Sequence, residues 1–246
     1  MLTILKDLSA HLSPLGTLET IRVEQDADSI KIIGLEANNQ YFLEATAKIN
    51  AIDIGGVFGM SNFGRLHYLL GNPEYKVNST IDIKIEPRGK DQVAVPILIE
   101  FSNEAGDFKN VYRFISSSIP SVKKLTELSY TKAKWNTEFE PSLKSVERFK
   151  SMSGAFASEQ VFKFKLEKED LIVSFGEANT DSGDFVFHTG IKNKVDTVNY
   201  WPAGAFSSIL SLDGKKTFRL SPDGMMFITI DSGLIVYEFM ILALAK

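Results

Sequence analysis

The sequence predicts an α+β protein of two similar domains, each with two helices packed on mostly antiparallel sheets. Three observations carry that prediction. Four segments show helical periodicity, and they fall into two pairs whose members start about sixty residues apart. Between them run segments of period-two alternation, bounded by Gly, Pro, Asn and Asp. The plan helix, strands, helix, strands occupies residues 1–117 and recurs in 139–246, with a lysine-bearing connector over 118–138.

The first helix is expected over residues 1–12, with Leu5, Leu8 and Leu12 as its apolar stripe and Thr3, Lys6 and Ala10 opposite. Ser13, Pro14 and Gly16 end it. Residues 17–50 read as strands, with Asn38-Asn39 as a turn. Gly55, Gly56 and Gly59 lead into a second helix over 62–70, where Phe63, Leu66 and Leu70 share a face and Arg65 points away from it. Residues 80–86 alternate strictly, with Ile81, Ile83 and Ile85 on one side and Asp82, Lys84 and Glu86 on the other, the pattern of a sheet with one wet face. Strands over 93–101 and 111–115 follow.

In the second half, residues 141–156 form the third helix. Leu143, Val146 and Phe149 make one stripe, while Lys144, Arg148 and Ser151 make another that Lys150 widens. Glu147 is the only acid there. Taken alone, such a helix is a solvated surface element. Its place in a doubled chain gives the cations a further reading. Strands over 162–166, 171–175 and 184–188 precede a fourth helix over 203–212, cored by Phe206, Ile209 and Leu210. Asp213-Gly214 turns the chain, with Lys215 and Lys216 behind it. Three strands, 217–220, 225–230 and 234–244, close the chain.

The absence of cysteine excludes disulfides and thiolate metal sites and points to a reducing compartment. No basic-then-apolar signal opens the chain, and the apolar run 234–245 is too short to span a bilayer. The net charge of −4 argues against nucleic acid as a bulk property, but not against a local basic face. His11, His67 and His188 read as satisfied or solvent-facing. No phosphate loop, dinucleotide fingerprint or nucleophile elbow is present. Trp135 and Trp201 stand alone and read as buried apolar side chains. The residues offer no active site, no metal site and no cofactor site.

Residues 56–75, GVFGMSNFGRLHYLLGNPEY, resemble the corresponding helix region of the sliding clamps of T-even-type bacteriophages and their marine relatives. Asn62, Phe63, Leu66, Leu70, Asn72, Pro73 and Glu74 are the matching positions. The leucine-rich opening, LTILKDLSAHLSPLGTL, also resembles that family, and the doubled plan covers nearly the whole chain. Two features depart from it: Gly59-Met60 replaces the aromatic-Asp pair before the helix, and the chain ends on EFMILALAK without an acidic tail.

The resemblance implies the DNA-clamp fold, a homotrimeric ring around double-stranded DNA in the cytoplasm of a bacterial host. It implies a tether for a DNA polymerase, loaded by an ATP-driven clamp loader, with no catalysis, no cofactor and no membrane. Lys6, Arg65, Lys144, Arg148, Lys150, Lys215 and Lys216 are then the candidate phosphate contacts, which carry no sequence information. Edge strands would close the ring through Val111, Tyr112, Phe114, Phe185 and Phe187. Partner peptides would dock on Ile119, Val122 and Leu125 in the connector. The competing expectation is a structural or ligand-binding β-rich viral protein that encircles nothing. A third, an enzyme, would need His67 or His188 gathered with carboxylates in a pocket.

Overall fold

The structure is a computed structural model that describes residues 2–25, 29–47, 56–88, 93–125, 134–177, 179–191 and 199–244. The chain divides into two compact units. The first comprises Met1–Asn38, Leu43–Glu127 and Ser232–Tyr237, and the second Asn39–Phe42, Leu128–Asp231 and Glu238–Lys246.

In the first unit, helix α1 (Leu2–Leu12) buries Ile4, Leu5, Leu8 and Leu12 and leaves Thr3, Lys6 and Ala10 exposed. Strands β1 (Thr20–Gln25), β2 (Ile30–Leu35), β3 (Tyr41–Ala47, in this unit from Leu43 onward) and β4 (Gly56–Ser61) follow, then α2 (Phe63–Gly71). Asn62 caps α2 in the left-handed conformation, at φ 53°, which asparagine tolerates better than most residues. Next come β5 (Thr80–Arg88), β6 (Val93–Ser102), β7 (Lys109–Arg113), β8 (Ile115–Ser116) and a short helix α3 (Pro120–Lys123). One run of strands has the order β8-β4-β1-β2-β3, and β5-β6-β7 form a separate sheet. The pairings β1–β2, β1–β4, β4–β8, β5–β6 and β6–β7 are all antiparallel. Helices α1 and α2 pack on each other.

The alternation in β5 places only part of its apolar face inside. Ile81 and Ile83 are half-buried, but Ile85 is 42% exposed. The register shifts between Lys84 and Ile85, so that Ile97 of β6 bulges out of the ladder. Beyond that bulge Ile85, Glu86 and Pro87 all face solvent.

The second unit contains β9 (Thr137–Phe139), α4 (Leu143–Ala155), β10 (Val161–Glu167), β11 (Asp170–Phe175), β12 (Gly183–His188), β13 (Asn199–Pro202), α5 (Ala203–Ser211), β14 (Lys215–Leu220), β15 (Met225–Asp231) and, from Glu238 onward, β16 (Ile235–Leu242). The strand orders are β12-β11-β10-β13 and β16-β15-β14-β9. The expected long final strand is one element that stops at Leu242, with an isolated bridge from Leu244 to Tyr200 beyond it.

Phenylalanines build the core of this unit. Phe149 of α4 meets Phe206 of α5 edge-on at 4.7 Å and Phe162 of β10 at 4.9 Å. Phe206 in turn touches Phe218 of β14 at 5.9 Å. Such edge-on pairs add roughly 0.5–1.5 kcal/mol each beyond the apolar area they bury. Helix α4 starts two residues later than the sequence predicts. Ser142 stands outside it as the cap, its hydroxyl accepting the Ser145 N–H at 3.1 Å. Leu143 therefore sits in the first turn and is 74% exposed, so it leaves the apolar stripe that Val146 and Phe149 keep.

Candidate nucleic-acid interface

Each unit brings two helices together, α1 with α2 and α4 with α5, and the apolar side of each helix faces its own core. The opposite sides face water, and their charge is uneven. The four helices hold five cations, Lys6, Arg65, Lys144, Arg148 and Lys150, against two acids, Asp7 and Glu147. That is a net +3, which leaves −7 for the rest of a chain whose total is −4. Asp7 is mostly buried, with its carboxylate accepting hydrogen bonds from the Tyr237 hydroxyl at 2.8 Å and the Ser232 hydroxyl at 3.0 Å. Glu147 is thus the single exposed acid on these helices.

All five helical cations are exposed, and none takes part in an ion pair among the described residues. The other two predicted phosphate contacts behave differently. Lys215 is exposed but pairs with Glu140 at 2.7 Å, which pushes its ammonium above the ordinary lysine range. Lys216 is half-buried and donates to the Leu212 carbonyl and, at 3.2 Å, to the Gly214 carbonyl. Burial lowers its pKa, the nearby Lys150 lowers it further, and Asp213 acts in the opposite direction. Lys150, Lys215 and Lys216 line a shallow cleft of about 390 Å³ together with Glu140, Val146 and Asp213.

Several predicted contact residues turn inward. In the connector, Val122 is fully buried and Leu125 is 8% exposed, while Ile119 remains 44% exposed. The cause is α3, whose single turn places Val122 over Gly59 of β4. A Cβ at that glycine would lie 2.4 Å from the Val122 methyl. Val122 and Leu125 therefore belong to the core, not to an outward groove.

Strands β7 and β12 are edges of their sheets. Their side chains are less available than their backbones. Tyr112 is buried and donates its hydroxyl to the Ser61 carbonyl at 2.5 Å, and burial raises its pKa far above the ordinary phenol range. Phe114 packs between Phe58 and Tyr112, and Phe187 among Phe139, Phe164, Phe206 and Phe218. Of the five, Val111 is 38% exposed and Phe185 is half-buried, so Tyr112, Phe114 and Phe187 offer a partner only main chain.

Two features lie outside what the sequence analysis predicts, the exposure of Tyr68 and the role of Asp7. Tyr68 is 68% exposed on α2, one turn beyond Arg65, a spacing that the helical period makes visible. Asp7 lies four residues before His11, and the same period brings them to one face. His11 is buried, with its ring stacked on Tyr237 at 4.6 Å and its Nδ1 2.9 Å from the Asp7 carbonyl. Trp201 is buried as expected, whereas Trp135 is half-buried and leans on Phe227 at 5.5 Å. His67 is exposed, and His188 lies beside the Phe139 ring at 4.7 Å, with burial lowering its pKa. Among the described residues, no group of three or more His, Asp or Glu side chains is placed to hold a metal ion. No helix there is long and apolar enough to cross a membrane.

No protein-family profile and no curated protein matches the sequence. Solved structures do match the fold. The PCNA of Thermococcus kodakaraensis aligns over 99% of this chain and 97% of its own, with a TM-score of 0.65 at 12% identity. The proliferating cellular nuclear antigen of Entamoeba histolytica aligns over 98% and 94%, with a TM-score of 0.64 at 10% identity. The A. fulgidus PCNA, solved with the C-terminal region of FEN-1 bound, aligns over 99% and 96%, with a TM-score of 0.62 at 10% identity. The fold is that of the DNA clamps, two similar domains with helices packed on antiparallel sheets.

Proposed function

We propose that this chain is a sliding clamp of the kind T-even bacteriophages use. Three copies form a ring around duplex DNA and tether a replicative polymerase, acting in the cytoplasm of an infected bacterium. The observation that carries the proposal is the segregation of charge on a clamp fold. The long helices carry a net +3 and the remainder −7, and five helical cations stand exposed without acidic partners. Phosphates supply the missing partners. Contacts of that kind read no sequence, so the ring slides. The acidic remainder discourages DNA from binding elsewhere.

In this assembly the unpaired main chain of β7 and β12 joins neighbouring copies, assisted by Val111 and Phe185, because an exposed edge strand is a template for another strand. Of the connector residues, Ile119 meets partner peptides. An ATP-driven loader opens and closes the ring, since a closed ring cannot thread onto circular DNA unaided.

The test is retention on nicked circular duplex before and after linearisation. A clamp stays on the closed circle and is lost from the cut one. Equal loss from both forms removes the clamp reading and leaves a β-rich structural or ligand-binding protein in its place. Crosslinking in solution tests the trimer separately.

A further inference from the structure

The exposed cations of the four long helices, α1, α2, α4 and α5, are not shared evenly between the two units. Helix α4 holds three, Lys144, Arg148 and Lys150, while α1 holds only Lys6 and α2 only Arg65. Helix α5 holds none and shows Gly204, Ser207, Ser208 and Ser211 instead. Lys216 lies behind Lys150 in the cleft next to α4 and adds its field to the same side.

Within α4 the arrangement is itself informative. Lys144 and Arg148 are four residues apart, so their like charges are neighbours on the helix surface, an arrangement that weakens an isolated helix. Glu147 adjoins Lys144 and Lys150, three positions to either side, and Arg148 next in sequence points elsewhere on the turn. From Lys144 to Lys150 the helix rises ~9 Å, enough to follow a nucleic-acid strand over more than one phosphate. An anionic strand laid along α4 relieves the repulsion that the helix carries when free.

We infer that α4 is the principal phosphate-binding element, so that duplex DNA is held by the second unit of each copy and not equally by all four helices. The inference rests on the clamp reading, because it assumes that the exposed helix faces meet DNA. The first unit then contributes a weak guide through Lys6 and Arg65. The ligand is the sugar–phosphate backbone of a duplex, recognised by charge alone.

The experiment compares two sets of substitutions at exposed positions, Lys144→Gln/Arg148→Gln/Lys150→Gln and Lys6→Gln/Arg65→Gln. Binding of a short linear duplex is followed by fluorescence anisotropy over a salt series, and thermal melting of both variants checks that they fold. Each phosphate neutralised contributes ~0.9 to the slope of log affinity against log salt. The triple variant is expected to lose most of the slope, and the double variant to keep most of it. Single α4 substitutions step the slope down by part of the triple effect. The inference is overturned if the double variant loses as much slope as the triple, or if the triple binds as the parent does. Those results leave the clamp reading standing whenever the parent is retained on nicked circles. Equal loss of the parent from circular and linear DNA removes the clamp reading itself.

Discussion

The hydroxyl of Tyr237 donates a 2.8 Å hydrogen bond to the carboxylate of Asp7, across 230 positions of sequence. Ser232 donates to the same oxygen, and the ring of His11 stacks on Tyr237. The start of β16 is thereby fastened to α1 inside the first unit. Tyr237→Phe removes one donor from a mostly buried carboxylate and should cost about 1.5–3 kcal/mol. Asp7→Ala should cost more, because it strands the buried Tyr237 hydroxyl and leaves the half-buried Ser232 hydroxyl only the Ile235 carbonyl to donate to. Denaturant midpoints measure both, and an unchanged midpoint for Tyr237→Phe would show that the bond adds nothing.

Gly59 and Val122 predict a compensating pair. A methyl at Gly59 meets the Val122 side chain at 2.4 Å and Ile115 at 3.0 Å. Gly59→Ala should therefore destabilise the fold by about 1–3 kcal/mol through overpacking. Val122→Ala opens room at the same place. The double variant should be less unstable than the sum of the singles, and strict additivity in the cycle would refute the contact.

The lysine cleft makes a titration prediction. Burial first, and Lys150 second, hold the Lys216 pKa below its ordinary 10.5. A lysine with a lowered folded pKa disfavours its own protonated form in the native state. Its penalty is present below the folded pKa and relieved as pH rises toward 10.5. Lys150→Gln should raise the Lys216 pKa without restoring it fully, because burial remains. NMR of the Lys216 ε-methylene reads this directly. A titration that does not move would separate the two ammonium groups.

Two phenols set an alkaline limit. Burial raises the pKa of Tyr112 and of Tyr237 above the ordinary 10.0, and for Tyr237 the Asp7 charge adds to the effect. The neutral phenols contribute stability that is complete below pH 10.0 and declines as pH rises above it. Phenolate absorbance should show Tyr112 and Tyr237 ionising only with unfolding. Tyr237→Phe should move the alkaline transition to higher pH relative to its own neutral-pH stability. Early ionisation of all tyrosines together would contradict the burial.

Much of the architecture is legible because helical and strand periods mark which face is apolar. Leu5, Leu8 and Leu12 in α1, and Phe206, Ile209 and Leu210 in α5, occupy the buried stripes that their spacing predicts. The same period correctly turns Lys144, Arg148 and Ser151 of α4 to solvent. Where the period is short or the partner remote, it fails. Val122 sits in the single turn of α3 and Leu125 just past it, and nothing local says that Gly59 leaves space for Val122. Tyr112 and Phe187 lie on edge strands and Phe114 just past one, but being at an edge concerns the main chain. Their rings go to the core because large aromatic side chains lose most by staying wet. The partners of Lys216 come from turn geometry and that of Lys215, Glu140, from a remote segment, neither of which a spacing rule reports.

Ser232–Tyr237 belong to the first unit although they lie more than two hundred residues beyond α1. During vectorial synthesis on a ribosome, α1 emerges early and must wait for a partner that is translated more than two hundred codons later. The N-terminal unit therefore cannot complete itself until Ser232–Tyr237 have been made, and the Asp7 and His11 side of α1 stays open until then. A nascent chain arrested before Ser232 should leave that helix open to protease, and one arrested well after Tyr237 should protect it.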